Sequence, residues 1–166
     1  MFRRMPLRRT PLGPKVSGKH GIAAVEFAVV APVLVAIMFG MMSVNRAFET
    51  QNLLSIAARE GARFASMDRN GMLAEGSTGN QKLEQDIKSF LASNGISADS
   101  ITVEVKDFEN PETDFNIDDP NNDLRLFEVR VSVNYSAVSY TSVPNGSDYA
   151  LTASVVFRNG RANLSD

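Results

Sequence analysis

The 166-residue chain contains no cysteine and only one histidine. The first absence excludes disulfide frameworks, thiolate metal sites and cysteine nucleophiles. The second leaves a single imidazole, His20, at the end of a basic N-terminal stretch, so the body of the chain has no Ser–His or Cys–His pair. Phosphate-binding glycine loops and His/Cys metal clusters are missing as well. Neither an enzyme nor a resident cofactor is expected. Acids are absent from residues 1–21, which carry Arg3, Arg4, Arg8, Arg9, Lys15 and Lys19. Beyond Gly21 the balance reverses to 11 basic against 19 acidic groups, a net of −8. Such an acidic body lacks the clustered basic surface that phosphate backbones require, so nucleic acid is excluded as a partner.

What is present is position-dependent. Residues 22–42 are apolar apart from one charge, Glu26. A helix of that length rises about 1.5 Å per residue and spans roughly 31 Å, close to the hydrocarbon thickness of a bilayer. A helix satisfies its own backbone there, and Pro32 is tolerated as a site of kinking. The run is longer than the roughly 7–15 residues of a secretory signal core, and no Ala-x-Ala-like site follows it. Basic groups precede the run and only Arg46 follows closely, which predicts a cytoplasmic N-terminus and an external C-terminal domain.

The junction reads Lys19-His20-Gly21-Ile22-Ala23-Ala24-Val25-Glu26-Phe27. A carboxylate at the centre of a membrane helix costs about 2.5–3.5 kcal/mol, less near its ends, so Glu26 is a functional candidate. Cleavage after Gly21 would give it a purpose. The new α-amino group on Ile22, with an ordinary pKa of about 7.7–8.0, would be largely protonated at neutral pH. In a bundle of such helices each Glu26 would meet a neighbour's ammonium, neutralising two charges and fixing the axial register. Of the leader glycines only Gly21 has an acid five residues on; Gly13 and Gly18 are followed by Gly18 and Ala23.

Glycine, four residues and glutamate straddling a basic leader and an apolar helix resemble the processing site of type IV pilin-like proteins. The Glu26-Phe27 pair and the stretch Ala57-Ala58-Arg59-Glu60-Gly61-Ala62-Arg63-Phe64-Ala65 more closely resemble the TadE-like proteins of Tad/Flp pilus systems, over about residues 18–66. The resemblance implies a minor pseudopilin in the bacterial inner membrane, cut between Gly21 and Ile22 by a prepilin peptidase. It also implies partnership with other pilins or pseudopilins, with the Tad assembly machinery and with the lipid bilayer. The mature form would have 145 residues, far more than the helix alone that dominates major subunits of such pili. The alternative is an uncleaved single-pass envelope protein whose external domain binds a ligand or partner; a tethered hydrolase has less in its favour.

Beyond the apolar run the helical pattern continues through residues 43–67. Ala47, Leu54, Ala58, Gly61 and Ala65 share one face, a small-residue seam suited to helix packing either in an assembly or against this chain's own sheet. Arg59 and Arg63 read as a solvated face. A loop at 68–80 leads to a second helix at 81–93, capped by Asn80, striped by Leu83, Ile87, Phe90 and Leu91, and closed by Asn94-Gly95. Three half-buried strands follow, marked by alternation of Ile101, Val103 and Val105; of Phe127, Val129, Val131, Val133 and Tyr135; and of Leu151, Ala153, Val155 and Phe157 after a Pro144-Asn145-Gly146 turn. The expected class is α+β, a long N-terminal helix lying on a three-stranded antiparallel meander. The expected organisation is a leader at 1–21, a membrane span at 22–42, its extramembrane continuation at 43–67 and a periplasmic module at 68–166. Between the first two strands, residues 107–123 read as a solvated acidic loop, with Asp118, Asp119 and Asp123 as weak metal ligands lacking EF-hand spacing.

Overall fold

The computed structural model describes residues 19–67, 73, 76–140 and 148–160. Most of the basic stretch expected to be a leader, most of the loop at 68–75 and the Pro144-Asn145-Gly146 turn lie outside the described residues. The chain divides into two compact units, Met1–Phe39 and Gly40–Asp166. Helix α1 (Lys19–Ser66) supplies the described part of the first unit and opens the second. Within the first unit every described side chain from Gly21 onward is exposed except the half-buried Ala31, and Pro32 lies inside the helix.

The second unit is an α+β module. Its elements after α1 are helix α2 (Gly79–Ser93) and strands β1 (Ile101–Asp107), β2 (Leu126–Asn134) and β3 (Ala150–Arg158). The strands form an antiparallel meander in the order β1-β2-β3. Its register aligns Ile101, Val133 and Leu151 in one row, Val103, Val131 and Ala153 in the next, and Val105, Val129 and Val155 in a third. These alternate residues face the core, while Glu104, Arg130 and Ser154 share a row on the outer face. Period-two patterning therefore sets the register, since a one-residue slip would turn the valines of these three rows outward. Leu54, Ala57, Ala58, Ala62 and Ala65 of α1 and Leu83, Ile87 and Leu91 of α2 complete the same core.

Helix α2 starts two residues earlier than expected, and its cap is Thr78 rather than Asn80. The Thr78 hydroxyl accepts from the Gln81 N–H at 3.3 Å, and Gln81 Oε1 accepts from the Thr78 N–H at 3.1 Å. That reciprocal pair satisfies two donors at the helix start. Asn80 lies inside the helix because its amide bridges to another segment. Its Nδ2 donates to Phe115 O at 2.8 Å, and its Oδ1 accepts from Ile117 N–H at 3.0 Å. The C-terminus closes as expected: Gly95 takes φ +83°, its N–H donates to Ala92 O, and Ile96 N–H donates to Leu91 O. This Schellman closure brings Leu91 and Ile96 together into the core.

The acidic stretch at 107–123 is not simply a solvated loop. Phe115 and Ile117 within it are fully buried, and the Phe115 ring stacks on Phe127 with centroids 5.4 Å apart. The chain turns back on β1, with Asp107 N–H donating to Thr113 O and Phe115 N–H to Val105 O. The return covers part of the free β1 edge, a position otherwise open to pairing with another chain. Burial of one phenylalanine of this kind contributes about 1.5–3 kcal/mol, enough to anchor a segment that charge alone would leave in water.

Candidate functional site

The sequence places its candidate chemistry at the Gly21–Phe27 junction. There the Gly21–Ile22 peptide bond falls inside α1, two residues from its start. A Cβ built on Gly21 would meet nothing within 4 Å, and its φ is not in the left-handed region. Neither packing nor backbone geometry requires glycine here, although glycine in a helix costs about 0.5–1 kcal/mol relative to alanine. Ile22 and Phe27 are about two-thirds exposed, and Glu26 is exposed among them. The run 22–42 contains no basic residue with which Glu26 could pair.

Gly61 behaves in the opposite way. A Cβ there would lie 2.6 Å from Ile87 Cδ1 and 3.5 Å from Leu83 Cγ, so the absence of a side chain is what lets α1 and α2 approach. Leu54, Ala58 and Ala65 are fully buried and Ala47 is half-buried against the same core. The seam from Ala47 to Ala65 is thus occupied within the chain. Arg59 and Arg63 stay exposed, and Arg63 makes only a loose 3.7 Å pair with Glu60, of a kind worth little in water. Glu60 and Arg63 rim a cavity of about 320 Å³ floored by Gly61, Phe64, Leu83 and Ile87.

The acids proposed as metal ligands have local structural uses. Asp118 Oδ2 accepts from the Gly79 N–H at the start of α2, where a carboxylate interacts favourably with the helix dipole. Asp119 Oδ1 accepts from the backbone N–H and the side-chain amide of Asn121, capping the short turn Pro120–Asn122. Asp123 follows that turn, its N–H donating to Pro120 O. Among the described residues no group of three or more His, Asp or Glu side chains is placed to share an ion.

Sequence reasoning missed Asn159, which is buried at the end of β3. Its Nδ2 donates to Ile117 O at 3.0 Å and to Asn122 O at 3.1 Å, tying the acidic segment to the sheet. Its position in the register, just past an alternating strand, was the available signal. The Arg125–Asp107 pair was missed likewise: Asp107 is buried, and Arg125 Nη2 sits 2.6 Å from its Oδ2.

One apolar helix long enough to cross a membrane occurs among the described residues, and none of its most apolar window is buried. Joined to a small α+β module, it defines the class of single-pass membrane proteins with one compact domain. Residues 21–63 match the family model described as TadE-like protein, so the chain is similar to that family over that segment. The match begins at Gly21 and takes in the apolar run, Glu26, Phe27 and most of the Ala57–Ala65 stretch. No curated protein and no solved structure matches the chain.

Proposed function

We propose that the protein is a minor pseudopilin, cut by a prepilin peptidase between Gly21 and Ile22 and incorporated during assembly of a Tad/Flp-type pilus that serves surface attachment. In this reading residues 1–21 are a cytoplasmic leader, 22–42 span the inner membrane, 43–67 continue the helix outside it, and 68–166 form a periplasmic module. The observation that carries the reading is Glu26, an exposed acid five residues past Gly21 in a run without any basic residue. Such a charge is unfavourable in lipid and finds compensation once cleavage creates an ammonium group on an adjacent subunit. Gly21 supports the same reading, because a residue that packing does not require is free to be read by a peptidase. Partners would be the peptidase, other pilins or pseudopilins and the assembly machinery, with no enzymatic role for the module itself.

One observation favours a second reading, an uncleaved envelope protein with a partner-binding domain: the Gly21–Ile22 bond is helical, and cleavage needs that first turn to open. Coexpression with a prepilin peptidase separates the two. The wild-type chain should shift on a gel by loss of its 21-residue leader, and Gly21→Ala should block the shift. A wild-type chain that keeps its full length with active peptidase present supports the uncleaved protein instead.

A further inference from the structure

The two ends of the α+β module differ in a way that no feature of the Tad family resemblance assigns. At one end the Tyr135 hydroxyl donates to Ser43 O at 3.5 Å, the outer limit of a hydrogen bond. At the other end Gly160 N–H donates to Ala65 O at 3.2 Å. Ser43 and Ala65 lie 22 residues apart on α1, about 33 Å along a helix rising 1.5 Å per residue. The Tyr135 end is therefore the one at which the apolar run arrives, since Met42 closes that run. The Gly160 end carries the acidic segment, through the bonds of Asn159 to Ile117 and Asn122.

Exposed apolar surface is distributed unequally between these ends. Among the described residues from Ser43 to Gly160, the four most exposed large apolar side chains are Tyr140 at 69%, Phe48 at 67%, Val44 at 56% and Tyr149 at 52%. All four belong to the Ser43 end. Val44 and Phe48 lie within five residues of Ser43 on α1. Tyr149 stacks on Tyr135 with centroids 4.7 Å apart, and its carbonyl accepts from the Tyr135 N–H. Tyr140 borders a shallow cavity of about 180 Å³ together with Met42, Asn45, Arg46 and Glu49. Two acids at this end are engaged: Glu49 pairs with Arg46 at 3.0 Å, and Asp148 accepts from the Ser136 N–H and hydroxyl; a third, Asp99, stands exposed just before β1.

We propose that this end is a membrane-interface seat, in which Val44, Phe48, Tyr140 and Tyr149 enter the headgroup–acyl boundary of the bilayer that α1 crosses. The inference rests on the single-pass reading above and adds the surface by which the folded module sits on lipid. Tyrosine suits that layer because its ring is apolar and its hydroxyl stays hydrated. An apolar surface seated there enters about 5–10 Å into the boundary, a depth within reach of side chains one or two turns past Met42. The Arg46 side chain is mostly covered, its Nε included, while its Nη1 pairs with Glu49. The acidic residues Glu109, Glu112 and Asp114 belong to the opposite end of the module, and anionic headgroups would repel them.

The chain contains no tryptophan, so each single replacement gives an unambiguous optical probe. Three full-length variants, Phe39→Trp in the apolar run, Tyr140→Trp at the proposed seat and Phe108→Trp at the acidic end, are reconstituted in vesicles. The vesicles contain phospholipid bearing a nitroxide either near the headgroup or deep in the acyl chain. The expected result is blue-shifted Tyr140→Trp emission quenched more by the shallow than by the deep label, with Phe39→Trp, inside the run, quenched by the deep label more than Tyr140→Trp is, and Phe108→Trp quenched by neither. Solvent-like, unquenched Tyr140→Trp emission alongside a quenched Phe39→Trp overturns the seat and leaves the span intact. Equal shallow quenching of Tyr140→Trp and Phe108→Trp overturns it too, since the ends would not differ. An unquenched Phe39→Trp overturns the span itself, and the seat with it.

Discussion

Gly61 and Ile87 approach so closely that a Cβ on the glycine would lie 2.6 Å from the isoleucine Cδ1 and 3.0 Å from its Cγ1. Gly61→Ala is expected to destabilise the module by about 1–2 kcal/mol. Overpacking costs typically about 1–3 kcal/mol, and the better helix propensity of alanine returns up to about 1 kcal/mol. Ile87→Val in the same chain shortens the opposing side chain and should recover part of that loss. Denaturant unfolding of the detergent-solubilised protein measures both; equal stability of Gly61→Ala and wild type would show that α2 yields freely.

Asn159 holds two carbonyls of the acidic segment with one amide. Asn159→Asp removes both donors and places a carboxylate beside those oxygens, so a loss of about 2–3 kcal/mol is expected from unmet buried polar groups. The effect should be local first. Hydrogen exchange of Phe115 and Ile117 should accelerate more than that of Val129 or Val131 at the sheet centre. Uniform acceleration across the sheet would show that the segment and the sheet open as one unit.

Strand alternation, the α1 seam and the closure at Asn94-Gly95 were all legible in the sequence because each is a local periodic or turn signal. Glu26 stands out in the sequence as the single charge of an apolar run. What the sequence hid depends on long-range partners. Asn80 looks like a cap by residue type, yet Thr78 with Gln81 makes the reciprocal pair, and Asn80 serves Phe115 and Ile117 some 35 and 37 residues away. The burial of Phe115 and Ile117 was hidden in the same way, because seven acids dominate the composition of residues 107–123 while two apolar residues decide their placement. Leu124 takes φ +61° without being glycine, a left-handed geometry that its residue type does not signal.

Tyr149 holds its phenolic proton above the usual tyrosine value, chiefly because its surroundings remove water and secondarily because of Tyr135 stacked against it. The folded state then binds that proton more tightly than the unfolded chain does. Its contribution to stability is present below the unfolded tyrosine pKa of about 10 and is lost as pH rises through the higher folded value. Difference absorbance of the phenolate should show that Tyr149→Phe removes a phase titrating above the usual tyrosine value. Removal of a phase at or below the usual value instead would contradict the assigned surroundings.

Glu26→Ala should insert into membranes at least as well as wild type, because it relieves a charge that lipid disfavours. Incorporation into pili should nevertheless fall, since the register contact to a neighbouring N-terminus is gone. Glu26→Asp, shorter by one methylene but still charged, should retain part of the function. Comparing the membrane and sheared-pilus fractions of each variant checks this; normal incorporation of Glu26→Ala would remove the register role.

The most direct measurement is the intact mass and N-terminal sequence of the native protein taken from membranes of cells that carry a prepilin peptidase. A pseudopilin would begin at Ile22 and hold 145 residues, having exchanged its arginine-rich leader for a free ammonium that Glu26 can meet. A protein still beginning ahead of Gly21 would contradict that account and leave a tethered α+β module in its place.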